Sequence, residues 1–197
     1  MNVANKITIS RIVLTVLIIF ILLFPLDTLG ITQTKLFINE LIVIDIKYLI
    51  AGFLFIIAFI TDIIDGKVAR KKNMVTDLGT MLDSIADTFL VNSLLIILSS
   101  QGIINPLITL IIVTRDIIVD VIKYMVASKR HVVSSIKSSK YKTIFLMIGI
   151  ILTLFGNLPF ELLNIQVSDI ILIIATVLSV YSCIQYYQIN KNDIFDN

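Results

Sequence analysis

Tryptophan is absent from this chain of 197 residues, and one Cys, one His and three Pro are all it has of those types. A single cysteine excludes an internal disulfide, and the setting of Cys183 in an apolar run suits packing better than thiol chemistry. The lone His131, beside Lys129 and Arg130, reads as a surface residue and not as a ligand. Charge is thin as well. Charged residues make up 15% and hydrophobic ones 57% of the chain, and the mean hydropathy is +1.00. That balance excludes an ordinary soluble domain and points to a membrane. No repeat, low-complexity tract or linker marks a second unit, so residues 1–197 read as one domain.

What is present is a series of long apolar runs. Measured against the roughly 20 residues needed to span a bilayer, six helices are expected, near residues 8–26, 41–63, 78–100, 103–127, 141–157 and 168–189. The expected fold is therefore all-α, an integral membrane bundle of six transmembrane helices. Residues 25–40, with Pro25 and Gly30, read as the longest loop. The first segment lacks a small-residue cleavage site and reads as a retained anchor. Its start, with Lys6 and Arg11 among apolar neighbours, equally fits an N-terminal interfacial helix.

Basic residues near the segment ends set the orientation. Lys6 and Arg11, then Lys67 to Lys72, Lys129 to Lys142 and Lys191 fall on one side. Lys35 and Lys47 fall on the other, beside Asp27, Glu40, Asp45, Glu161 and Asp169. Both termini and the second-to-third loop are thus expected in the cytoplasm, with the chain in the cell (plasma) membrane.

Four carboxylates flank that loop. Asp62, Asp65, Gly66 and Ala69 fall on one stripe of the second helix, and Gly79, Asp83 and Asp87 are spaced one helical turn apart on the third. Thr76 is placed to cap the third helix. A carboxylate at the centre of a bilayer costs about 2.5–3.5 kcal/mol on insertion scales, so a compensating cation is expected. Asp oxygens suit Mg²⁺ or Mn²⁺, and four of them could hold two ions. Gly66, Ala69 and Gly79 leave room for a ligand, and Arg70 could pair with phosphate. The competing reading is a set of surface ion pairs with Lys67, Arg70 and Lys71.

The run resembles, position for position, the signature of the CDP-alcohol phosphotransferases, Asp-x2-Asp-Gly-x2-Ala-Arg-x8-Gly-x3-Asp-x3-Asp. The opening Asn5-Lys-Ile-Thr8-Ile-Ser-Arg11 is similar to that family's amino-terminal segment. The resemblance implies transfer of a substituted phosphate from a CDP-linked lipid, CDP-diacylglycerol, to an alcohol, with release of CMP. It implies that Asp62, Asp65 and Asp83 are metal ligands, and that Asp87 both touches metal and serves as the base. Gly66, Ala69, Arg70 and Gly79 would line the CDP site, with Asn5, Thr8 and Arg11 at its nucleotide end. For those last three, a helix cap and a snorkelling interface charge are the competing uses.

The fourth segment carries Arg115, Asp116, Asp120 and Lys123 inside an apolar run, where charges are functional suspects. Arg115 and Lys123, eight residues apart, lie about 80° from each other around a helix and can face one cavity. Asp120 and Lys123 could instead neutralise each other at i, i+3. With Ser139-Lys140-Tyr-Lys142-Thr143, these charges resemble the acceptor end of the phosphatidylglycerolphosphate synthases. Here Asp stands for Glu beside the Arg, Lys for a downstream Arg, and Ser for Gly. In addition, Asp83-Ser-Ile-Ala-Asp87-Thr replaces the usual Asp-Pro-Leu-Ala-Asp-Lys. The resemblance implies sn-glycerol 3-phosphate as acceptor, its phosphate held by Arg115, Lys123, Lys140 and Lys142. Serine, inositol phosphate and phosphatidylglycerol are alternative acceptors, and a cation-binding transporter is the reading from another class. The many apolar faces also suit a C2 homodimer in the lipid bilayer.

Overall fold

Aliphatic residues without internal proline carry each helix, and the ends fall where polar or turn-forming residues interrupt them. A computed structural model describes residues 3–24, 35–38, 42–71, 77–128 and 136–195. The side chains of residues 3–8, 35–38, 42–43, 62–71, 77–84, 127–128 and 192–195 fall outside that description. Among the described residues six helices follow in order: α1 (Val3–Leu23), α2 (Ile46–Lys71), α3 (Asp77–Ser100), α4 (Pro106–Ser128), α5 (Lys137–Leu154) and α6 (Val167–Phe195). A short 3-10 turn, Phe160–Leu163, lies between the last two.

Several boundaries differ from expectation for identifiable reasons. A two-stranded antiparallel hairpin, β1 (Lys35–Ile38) and β2 (Ile42–Asp45), occupies part of the expected loop and the expected start of the second helix. The β-branched run Ile42-Val43-Ile44 favours strand over helix, so α2 begins at Ile46. Its other end runs past the apolar stretch through the whole Asp62–Arg70 segment. Pro106 sets the start of α4, because proline fits the first helical position, where no N–H is needed. The Asn105 side chain accepts from Leu107 N at 2.9 Å. α1 is one uninterrupted helix, so no separate interfacial helix precedes it among the described residues. Thr76 and His131 lie outside the described residues.

Packing follows buried stripes. On α1, Arg11, Thr15, Ile18 and Leu22 recur at i, i+4, i+7 and i+11 and are all buried. α1 packs against both α2 and α3, and α6 lies against α5 and α4. The core gathers Ile18 and Leu22, Phe55 and Ala58, Leu90 to Leu98, Ile112, Leu146 to Leu154, and Leu172 with Ala175. Small residues let backbones approach. A Cβ on Gly149 would come within 2.7 Å of Leu172 Cδ2, so a side chain there would have to displace Leu172 at the α5–α6 contact. Gly156, at φ 64°, takes a backbone conformation that suits glycine, and its missing Cβ leaves space for Ile44 of the hairpin.

At that end of the bundle Tyr48 Oη donates to Gln101 Oε1 at 3.1 Å and Gln101 Nε2 to Leu22 O at 3.2 Å, tying α1 and α2 to the end of α3. Large apolar side chains point outward from every helix, among them Val13, Phe53, Ile96, Leu110, Ile144 and Val177. Val167–Lys191 is long and apolar enough to cross a membrane. Ile9–Leu23, Ile46–Thr61 and Ile85–Ser100 are shorter apolar stretches.

Candidate active site

At the opposite end, α3, α4 and α5 enclose a cavity of about 170 Å³. Asp87, Thr88 and Val91 line it from α3, Arg115, Asp116, Asp120 and Lys123 from α4, and Ser139, Lys142, Thr143, Leu146 and Met147 from α5. Drug-sized pockets run to about 300–1,000 Å³, so this space is on the scale of a small polar molecule.

The deepest charges form one bonded set. Arg115 is 7% exposed, Asp116 9% and Lys142 5%. Asp116 Oδ1 accepts from Arg115 Nη1 at 2.8 Å and from Lys142 Nζ at 2.8 Å, and Oδ2 lies 3.0 Å from the same Nζ. Arg115 also donates from Nε to Ser179 O at 3.1 Å and from Nη2 to Ser182 Oγ at 2.5 Å. Burying charges costs several kcal/mol per ion unless hydrogen bonds compensate, and this set supplies them. Nearer the mouth, Lys123 donates to Asp120 Oδ1 at 3.3 Å with both side chains about one-third exposed. The i, i+3 neutralisation considered from the spacing is therefore formed, while both residues still line the cavity.

On the facing wall, Asp87 accepts a charge-assisted bond from Arg11 Nη1. Arg11 is buried and reaches across from α1, which replaces the snorkelling reading with an interior role. Among the described residues, with Arg11 included, four cations and three carboxylates surround the space. Arg11, Arg115 and Lys142 are buried, where contacts to an entering anion are strong.

The structure thus brings Asp87, Arg115, Lys123 and Lys142 to one cavity. Lys140 is exposed and not part of its lining. Asp62, Asp65, Gly66, Ala69 and Arg70 fall on the last turns of α2, Gly79 and Asp83 on the first turns of α3, and Asn5 and Thr8 on the first turns of α1. Their side chains lie outside the described residues. The helical backbone from Asp77 onward meets the condition for Asp83 and Asp87 to sit one turn apart. Among the described residues no group of three or more His, Cys, Asp or Glu side chains gathers. The donors of the signature are nevertheless all carboxylates, which is the chemistry that suits a hard divalent cation.

Sequence reasoning had treated Asp116 as a suspect without a role and had missed Ser179, Ser182 and Tyr186. The signal available was weak: serines three residues apart in an apolar helix.

The CDP-alcohol phosphatidyltransferase family model matches residues 1–181. The chain belongs to that family. Among curated relatives, a CDP-diacylglycerol--glycerol-3-phosphate 3-phosphatidyltransferase of Bacillus subtilis (strain 168) is 34% identical over 189 residues, 96% of this chain and 95% of that protein. An enzyme of the same name from Rickettsia typhi (strain Wilmington) is 30% identical over 96% of this chain and 97% of its own length. One from Mycoplasma genitalium (strain G37) is 34% identical over 78% of this chain and 65% of its own.

Proposed function

We propose that this family member transfers a phosphatidyl group from CDP-diacylglycerol to sn-glycerol 3-phosphate, giving phosphatidylglycerol phosphate and CMP. The observation that carries the acceptor assignment is the single cavity that holds Asp87 opposite Arg115, Lys123 and Lys142. A dianionic phosphate suits the cation side, which would leave a primary hydroxyl toward Asp87. Arg115 is suited to binding phosphate by directed N–H bonds, whereas Lys142 and Lys123 act as point charges.

Asp87 takes the hydroxyl proton as the acceptor oxygen attacks the lipid-bearing phosphorus. The new P–O bond forms as the bond to CMP breaks, and CMP leaves with that electron pair. No covalent intermediate with the protein is required. Asp62, Asp65, Asp83 and Asp87 would hold Mg²⁺ or Mn²⁺, in one or two ions, which when bound supplies charge neutralisation at the pyrophosphate. Gly66, Ala69, Arg70 and Gly79, with Asn5 and Thr8, are assigned to the CDP end. Arg11 holds Asp87 in place from α1.

In this reading residues 1–197 are one domain whose six helices span the membrane, with outward apolar faces meeting lipid or a second copy in a C2 dimer. Basic residues put both termini and the catalytic end in the cytoplasm. Single cysteines, Asn73→Cys or Ser135→Cys in a Cys183→Ser background, are expected to react with an impermeant thiol reagent only after the inner face is opened. Labelling from outside intact cells would reverse the orientation.

The deciding experiment is CMP release by purified protein with CDP-diacylglycerol and a panel of acceptors. Glycerol 3-phosphate should be best, and neutral glycerol poor. Faster turnover with serine, inositol phosphate or phosphatidylglycerol would reassign the acceptor. No release with any of them in Mg²⁺ or Mn²⁺ would sink the transferase reading.

A further inference from the structure

The cavity is lined by α3, α4 and α5, yet one face of α6 touches the groups that support its cations without lining it. Ser179, Ser182 and Tyr186 are buried and recur at i, i+3 and i+7, within about 60° of arc on a helix of 3.6 residues per turn. The Ser179 carbonyl accepts both Arg115 Nε, at 3.1 Å, and Ser182 Oγ, at 2.9 Å. Ser182 Oγ in turn accepts Arg115 Nη2. Four residues on, the Tyr186 ring centroid lies 5.8 Å from Lys123 Nζ, within cation–π reach. The Tyr186 hydroxyl sits 3.5 Å from Ile136 N, immediately before the helix that carries Lys142. Ser182 and Tyr186 also lie beyond the residues matched by the family model.

We propose that this α6 face positions the acceptor's anion site: Ser182 and Tyr186 act as positioning residues, through Arg115 and Lys123, and thereby set the enzyme's preference for a phosphorylated acceptor over a neutral one. The inference rests on the phosphate-binding part of the function proposed above. A guanidinium has five N–H groups. Three are committed to Ser179, Asp116 and Ser182, which fixes its plane and leaves two for a ligand. Without Ser182 the fork turns about its stem, and binding must first restore its orientation. Lys123 is more exposed and has more rotamers to lose. The Tyr186 face and Asp120 narrow them before the acceptor arrives.

The test is equilibrium binding of sn-glycerol 3-phosphate to the purified full-length protein in lipid nanodiscs, with CDP-diacylglycerol binding measured in parallel. Ser182→Ala should weaken glycerol 3-phosphate binding about 10-fold, the low end for a lost bond to a charged group, because its effect is transmitted through Arg115. Tyr186→Leu should weaken it about 3-fold. Ser182→Thr keeps the hydroxyl and Tyr186→Phe keeps the ring, so both should bind nearly as the unmodified protein does. CDP-diacylglycerol binding should hold steady in all four. In an Arg115→Ala background, Ser182→Ala should add nothing, because its effect runs through that arginine.

Undiminished glycerol 3-phosphate binding in Ser182→Ala overturns the proposal. So does an equal loss for both substrates, which marks a structural role alone, or a full Ser182 effect without Arg115. An unmodified protein that binds glycerol 3-phosphate but releases no CMP would instead remove the transferase function and leave the positioning role standing.

Discussion

The two walls of the cavity are built on different rules. On the α3 side, carboxylates recur at the spacing of one helical turn, and the one described in the cavity, Asp87, accepts from Arg11 of α1. On the α4–α5 side, cations and carboxylates interleave in a looser pattern and are held by one another and by α6. Under the proposed function, the difference separates chemistry from recognition. Groups that must share a cation and a reacting phosphorus tolerate little movement. A phosphate can be met from several directions, so its binding wall can change residue types and keep its charge.

The comparison breaks most completely at the proposed metal ligands that precede Asp87 in the sequence. Asp62→Asn, Asp65→Asn or Asp83→Asn should each nearly abolish CMP release, with partial recovery at high Mg²⁺ or Mn²⁺, because each removes an anionic donor. Chelation by EDTA should stop the unmodified enzyme, and turnover that survives it would remove the metal assignment. Asp87→Asn should also lose turnover but keep substantial CDP-lipid binding, as expected when a general base is lost. Near-normal rates in that variant would exclude the role.

The second wall should yield in stages. Asp116→Ala leaves Arg115 and Lys142 buried without their shared carboxylate, and breaking such a set costs about 3–5 kcal/mol. Asp120→Ala removes a one-third-exposed partner and should cost about 0–1 kcal/mol. Thermal unfolding in detergent compares them, and equal losses would contradict the burial difference. Arg115→Ala should lower kcat/KM for glycerol 3-phosphate by roughly 10- to 150-fold, from contacts of about 1.5–3 kcal/mol, with little change in the KM for CDP-lipid. Lys123→Ala should fall at or below the low end of that range. Lys140→Ala, exposed and away from the cavity, should be nearly silent; a loss matching Arg115→Ala would place phosphate elsewhere.

Much of the helix bundle was legible because long apolar runs without internal proline favour helices, although among the described residues one helix, Val167–Lys191, is long and apolar enough to cross a membrane. The errors fell at boundaries. A β-branched run at residues 42–44 reads as apolar whether it pairs as strand or coils as helix, and the hairpin is decided by its partner at Lys35–Ile38. The charged end of α2 looked like a helix terminus from hydropathy alone, yet the helix continues to Lys71. In the site, i, i+8 spacing put Arg115 and Lys123 toward one space, as their common lining now supports. No spacing rule indicated that Arg11, seventy-six residues away in sequence, would meet Asp87.

The sequence by itself determined the residue types, their helical phases and the signature spacing, because these depend on neighbours within a turn or two of the chain. Only the tertiary structure decided which charges became partners. Asp116 bridges two helices, Arg11 reaches Asp87 from a third, and α6 holds Arg115 from behind. Such pairings rest on close packing among elements distant in sequence, and in a poorly solvated interior each buried charge takes the partner that packing puts within reach.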